Sequence, residues 1–414
     1  MRNGRSYKLI CAVVIMLAML LLASCDTFDS FRNTFISKVS NDENVIKIGV
    51  YEPETGKYSD KGLDEIKGIE LANSVYNSVD GYRVELVKVD THSTTNAAET
   101  AIRGLIKMKP VAIIGSSSES ESLMASKFVK KAKIPAITPS AKNPLITQNC
   151  EYYFRASITN TQMGAGVAEY VKNALGTSNM AIVMMKNDTV ATALVDGFND
   201  KLKSMSVDKG TVVKMQTEVA GNEDFSKVIK EIKEKKIDTA FVPMGVSYMD
   251  DFFKKAEKAG LTNVVFLGTE AWGTEEFVSM LGKHPDITVA FPYASALNKN
   301  RSTSETITEE AQKFQIQYAN MYGSNDVATD NAALGYDSYL LLINAIHRAG
   351  SIKGKDIRNA LVTLQNVKCA TGEFNFDETG DTRRKINISS IKAGKIISVY
   401  MTPDYVSSKV IEVK

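Results

Sequence analysis

The sequence is poor in the residues that most often do chemistry. Its 414 positions hold three histidines, four cysteines, nine prolines and one tryptophan. His92, His284 and His347 stand apart and in no recognisable motif, so each reads as a surface or core residue. The cysteines show no CxxC and no Cys/His spacing, which removes a zinc site. No G-x-x-x-x-G-K-[ST] occurs, which removes the commonest triphosphate-binding loop. Ser117 follows Gly115 as in a nucleophile elbow, but Glu119 stands where the second glycine is needed. Gly164-Ala165-Gly166 begins a dinucleotide fingerprint, but Glu169 replaces its third glycine. With no nucleophile–base pair to assemble from local motifs, an enzyme is not expected, and no cofactor or metal is implied. An excess of one charge is missing too. The formal net charge of +2 is too near neutral to suggest nucleic acid binding.

What is present is an ordinary globular composition, 44% hydrophobic and 24% charged, long enough for two or three compact units. The one long hydrophobic run, Leu9 to Ala23, falls short of the about 20 residues that span a bilayer. Arg2, Arg5 and Lys8 precede it, and Ser24 and Cys25 follow. That is the layout of a secretory signal over residues 1–24. It carries +3 of the net charge, leaving −1 on the rest. Leu22-Ala23-Ser24-Cys25 resembles a bacterial lipobox, whose cysteine is diacylated and becomes the mature N-terminus. Two acyl chains anchor stably where one binds marginally. The alternative is an uncleaved N-terminal anchor, and both put the body outside the cytoplasmic membrane. Residues 25–44 form the lipidated N-terminus and a polar tether. Only Cys150 and Cys369 are left in the body. An oxidising compartment permits a disulfide between them, and their separation does not decide it.

From Val45 the chain alternates short apolar runs with segments of helical period. Strand-like runs at 46–50, 82–90, 111–115 and 134–139 form a first series. Runs at 181–185, 212–217, 239–244 and 264–269 form a second. Helices are expected near 304–322, 330–348 and 355–364, and residues 372–401 read as an antiparallel tail. Regular alternation predicts parallel sheets covered by helices on both faces. Two such units predict two Rossmann-like lobes that the chain crosses between more than once.

In open α/β sheets ligands bind at the C-terminal ends of the strands. There the sequence offers Ser116-Ser117-Ser118 before a helix, suited to an anionic group such as a carboxylate or to plain N-capping. The next strand is followed by Thr138, Ser140 and Lys142, a ligand loop or an ordinary polar one. VVFLGTE (264–270) ends in Glu270, suited to a ligand ammonium or simply a surface charge.

These residues resemble the solute-binding proteins of bacterial ABC uptake systems for branched-chain amino acids, which have a type I periplasmic-binding fold. The resemblance covers nearly all of 45–400. It is carried by IGVYEPETGKYSDKG (48–62), VAIIGSSSES (111–120), TPSAKNP (138–144), YYFRAS (152–157), LGTE (267–270), GYDS (335–338) and GEFNFDETGD (372–381). It implies two lobes joined by a multi-crossover hinge. Lobe one would be 45–155 plus 293–371, and lobe two 156–292 plus 372–414. It implies that Ser117, Ser118 and Glu119 line the loop for an α-carboxylate, with Thr138, Ser140, Lys142 and Thr189 around the ligand. Glu270 would pair with an α-ammonium. The sequence departs from the family at Lys61, where an aromatic often closes the pocket, at Lys142, where a threonine often stands, and at 189–192, which lacks the usual tyrosine. Lys61 and Lys142 either favour a more acidic ligand than leucine or point outward. The expected function is that of an extracytoplasmic, membrane-anchored lipoprotein. It would bind an amino acid or related small polar ligand between its lobes and deliver it to an ABC permease. The alternative is a sensor or scaffold lipoprotein using the same fold for ligand-gated protein contacts.

Overall fold

The computed structural model describes residues 44–177, 179–205, 213–217, 225–293, 297 and 308–403. The expected export signal, Cys25 and all but the last residue of the expected tether lie outside the described residues. The first lobe begins with β1 (Val45–Glu52), α1 (Ser59–Val75), β2 (Ser78–Val79), β3 (Tyr82–Asp90), α2 (Thr95–Lys107) and β4 (Ala112–Gly115). It continues with α3 (Glu119–Ala132), β5 (Ala136–Thr138), α4 (Leu145–Gln148) and β6 (Tyr153–Arg155). The sheet order is β2-β3-β1-β4-β5-β6, parallel except for β2. Alternation along β1 builds both faces. Ile46, Ile48 and Val50 enter one core, and Tyr51 enters another with Ala98 and Ala101 of α2 and Val129 of α3.

The second lobe runs through α5 (Asn160–Tyr170), β7 (Met180–Met185), α6 (Thr189–Ser204), β8 (Val213–Thr217) and α7 (Ser226–Glu234). After these come β9 (Thr239–Phe241), α8 (Met249–Lys258), β10 (Val265–Leu267), α9 (Glu275–Leu281) and β11 (Thr288–Pro292). The chain then returns to the first lobe with α10 (Glu309–Tyr322), α11 (Asp330–Ala349) and α12 (Gly354–Val362). Phe314, Leu341, Leu342 and Leu361 of these helices lie in the same core as Ile46 and Ile48. A short ribbon follows, β12 (Val367–Cys369) with β13 (Gly372–Phe374), and then β14 (Asn387–Lys392) and β15 (Lys395–Met401). The last two close the second sheet, β15-β14-β11-β10-β9-β7-β8, as its antiparallel edge.

This is the expected two-lobed α/β architecture, with one correction in the tail. Residues 372–374 pair with 367–369 and not with the 387–392 strand. The reason is burial: Phe374 and Phe376 pack into the first lobe's core, while Ile386 and Ile388 belong to the second lobe's. The glycines of the discarded dinucleotide fragment have a packing role. A Cβ on Gly164 would sit 1.9 Å from the Leu194 carbonyl oxygen of α6, and one on Gly197 the same distance from that of Thr161 on α5. The first lobe repeats the device, with Gly68 of α1 against Ala332 O and Gly335 of α11 against Glu65 O. Cys150 and Cys369 are free buried thiols in two different cores. The three histidines each face carboxylates: His92 with Asp90, His284 with Asp250 and Glu257, and His347 with Asp80.

Both sheets have a point where strand order reverses, between β1 and β4 in one and between β7 and β9 in the other. Loops leaving neighbouring strands there diverge to opposite faces and open a crevice.

Candidate functional site

The loop after β4 is built around two buried carboxyls. Glu52 ends β1, fully buried, and its Oε2 accepts from the Ser117 amide at 2.7 Å. Glu65 of α1 is also fully buried, and its Oε1 accepts from the Ser140 hydroxyl. Burial pushes both carboxyls up, Glu65 to about 7, and the like charge of Glu65 raises the cost of ionising Glu52 further. The remaining oxygens, Glu52 Oε1 and Glu65 Oε2, find no donor among the described residues. Gly115 is required at the start of the loop: its φ is +122°, and a Cβ there would sit 2.0 Å from Tyr51 O.

The serines divide their work. Ser116 Oγ donates to Glu121 Oε2 at 2.9 Å and accepts from the Ser118 amide at 3.2 Å. Ser118 occupies the N-cap position of α3 but makes no capping bond, so plain N-capping does not account for it. Ser117 is buried and its hydroxyl has no partner among the described residues. Glu119 is exposed on the first turn of α3. Thr138 ties the two loops of this lobe together. It donates to Ser116 O at 2.8 Å and accepts from the Ala141 amide at 3.1 Å.

Lys142 follows directly, and Arg155 fixes its backbone from both sides. The guanidinium donates to Ala141 O at 3.1 Å and to Asn143 O at 2.7 Å, while its Nε bonds Asp381 Oδ1 at 2.9 Å. Arg155 and Asp381 are both fully buried.

Glu270 comes from the opposite lobe, on a single turn, Glu270–Gly273. The molecule's one tryptophan holds that turn. Trp272 is fully buried, stacks on Phe277 at 4.7 Å between centroids, and donates to Met244 O. Gly268 lies under its ring and Gly273 under that of Tyr293, both too close for a Cβ. Glu270 thereby reaches across the cleft, where Lys142 Nζ meets its Oε1. Burial, with Lys61 near, pushes Lys142 down to about 7, against the nearby carboxylates of Glu119 and Asp330. The Glu270 carboxylate in contact with it is an opposite charge that favours its protonated form. Lys61 also points inward, toward Ser117 O at 3.4 Å.

Beside this pair lies a cavity of about 350 Å³, within the range of small-ligand pockets. Lys142, Ser157, Asp330, Leu334 and Thr371 line it with Glu270, Tyr293 and Arg384, and so do Ile158 and Met163. Of the residues expected from sequence, Lys142 and Glu270 line it. Ser117, Ser118, Thr138 and Ser140 stand behind Lys142 in the buried network just described. Glu119 is exposed, and Thr189, the first residue of α6, is exposed and away from the cavity lining. Arg384 was not expected. Its guanidinium donates to Thr371 Oγ1 at 3.1 Å and to Thr371 O, and lies 4.5 Å over the Phe374 ring. Thr371 in turn donates to Asp337, fully buried on α11 and pushed up by that burial to about 6.

The profile of the family described as periplasmic binding protein matches residues 45–395. The chain belongs to that family. Its members are solute-binding proteins, a class without enzymatic activity. An amino acid binding protein of Pseudomonas aeruginosa is 27% identical over 193 residues, 45% of this chain and 50% of that protein. The Leu/Ile/Val-binding protein of Escherichia coli K12 is 24% identical over 245 residues, 58% of this chain and 65% of that one. The chain thus spans between half and two thirds of the length of these relatives. A leucine binding protein from Thermotoga maritima superposes with a TM-score of 0.65 at 26% identity, covering 86% of this chain and 98% of that one. A branched-chain amino acid substrate-binding protein from Streptococcus pneumoniae, in complex with isoleucine, gives 0.63 at 25%, covering 86% and 99%. The chain is thus similar to solute-binding proteins of the branched-chain amino acid type. Among the described residues no helix is long and apolar enough to cross a membrane.

Proposed function

We propose that this protein is an extracytoplasmic lipoprotein, anchored through Cys25 in the cell membrane. It binds an amino acid or related compound between its lobes and delivers it to an ABC permease. The observation that carries the reading is the cavity between the lobes, with Lys142 from one and Glu270 from the other meeting at its edge. A ligand that touches both lobes stabilises the closed arrangement over the open one. The proposed division is 45–155 with 293–371 against 156–292 with 372–414. Phe374 and Phe376 favour a last crossover a few residues later, before Ile386. Ser117, with its unpartnered hydroxyl, and Ser118, Ser140 and Thr138 around it support a role in shaping the ligand loop. The test is thermal-shift screening of the full chain, in mild detergent, against amino acids and related small acids, followed by calorimetry. A hit stabilises the folded state by RT ln(1 + [L]/Kd), about 2.7 kcal/mol at a hundredfold excess over Kd, and raises the melting temperature accordingly. Absence of any stabilising compound across the panel would overturn the proposal.

A further inference from the structure

The cleft contains its own ammonium. Lys142 Nζ contacts Glu270, the acid a ligand ammonium would need, and the carboxylates of Glu119 and Asp330 add their field at the same ammonium. The position is held and not incidental. Arg155 fixes the carbonyls on either side of Lys142, and the buried Trp272 fixes the turn that carries Glu270. A second ammonium brought in by a ligand would meet a like charge at contact distance and would have to displace a built-in pair. A second cation, Arg384, also lines the cavity. Arg384 faces it with a guanidinium of five donors, of which two are given to Thr371. Ile158, Met163 and Leu334 add apolar surface to the same lining.

We propose that Lys142 takes the place of a ligand ammonium, so that this cleft selects small organic acids without an amino group, their carboxylate held by Arg384 and their carbon body by Ile158, Met163 and Leu334. The inference rests on the solute-binding reading above and names its ligand class. Lys61, also turned inward, adds to the preference for an anion.

The experiment compares matched pairs. Calorimetry on the full chain measures L-leucine, L-isoleucine and L-phenylalanine against 4-methyl-2-oxopentanoate, 3-methyl-2-oxopentanoate and phenylpyruvate, with benzoate and succinate added. The expected result is at least tenfold tighter binding of the amine-free acid in one or more pairs, or binding of benzoate or succinate with no amino acid bound. In Lys142→Ala, and in the longer Lys142→Met should the first fail to fold, the amino acids should gain tenfold or more, because Glu270 is released. Arg384→Gln should weaken the amine-free acid by at least tenfold. Tighter binding of the amino acid member by the unaltered protein overturns this inference and leaves the solute-binding reading standing. Binding of nothing in either class overturns both.

Discussion

Replacing Arg155 by methionine removes the one cation from a fully buried carboxylate. In the intact protein Asp381 Oδ1 receives Arg155 Nε at 2.9 Å and the Thr147 hydroxyl at 2.8 Å. The variant keeps the second bond only. Breaking a buried pair by deleting one partner costs about 3–5 kcal/mol, because the remaining charge is neither solvated nor neutralised. For a lobe of ordinary domain size each kcal/mol shifts the melting point by about 2–4 °C. The expected loss is therefore roughly 6–20 °C. Scanning calorimetry and urea denaturation measure it. The double variant Arg155→Met with Asp381→Leu should recover a large part, since two apolar groups of similar size leave no orphan charge. The physical reasoning fails if Arg155→Met melts within about 2 °C of the unaltered protein, well under the expected range. It also fails if the double variant is no more stable than the single. Because Arg155 also holds Ala141 O and Asn143 O, the single variant should weaken any cleft ligand even at temperatures where it is folded.

Glu65 has a folded-state pKa raised to about 7, so the native state binds more protons than the unfolded chain above the ordinary carboxyl range. Its contribution is therefore present at acid pH and lost as pH rises toward 7. Glu65→Gln should keep the Ser140 bond and offer an amide donor to Glu52, raising stability at pH 8 by about 1 kcal/mol. The gap to the unaltered protein should close near pH 4.5, and urea midpoints across pH 4.5–8 check both the sign and the window. Gly68→Ala sets a Cβ 1.7 Å from Ala332 O and should destabilise by about 1–3 kcal/mol without touching the cavity; equilibrium unfolding reads it. Cys25→Ala should move the protein from the membrane to the soluble fraction on cell fractionation, and retention in the membrane would favour an uncleaved anchor.

The fold was largely legible because its periods are local. A strand such as IKIGV, buried on both faces, needs only five residues to announce itself, and the helices that follow carry their own period. The tail was less so. Whether 372–374 pairs forward or backward depends on which core Phe374 enters, and that is a long-range matter. Lys142 and Glu270 were named because they follow strands at the end where such sheets bind ligands, and both line the cavity. Arg384 was missed because it sits beside Arg383 in the polar run TGDTRRK. A signal was present: Arg384 is buried and Arg383 exposed, in step with the inward Ile386 and Ile388. Carrying that alternation two residues upstream would have turned Arg384 inward. Thr189 was named from the resemblance alone, and nothing in its own surroundings draws it to the cavity.

The paired glycines in both lobes bear on how the cleft opens. Where one helix backbone rests on another, no side chain lies between them to change rotamer, so neither lobe has a soft layer at those crossings. Deformation has to go into the segments that run from one lobe to the other. Two of these are riveted side by side, since Arg155 pairs with Asp381 and donates its amide to Gly380 O. Closure of the lobes as proposed would then bend the chain beside that pairing, at residues 157–159 and 382–386, where Ser157, Ile158 and Arg384 line the cavity. A ligand seated there presses on the axle rather than on the rim. A small displacement near Arg384 would then become a large travel at the far edges of the two lobes.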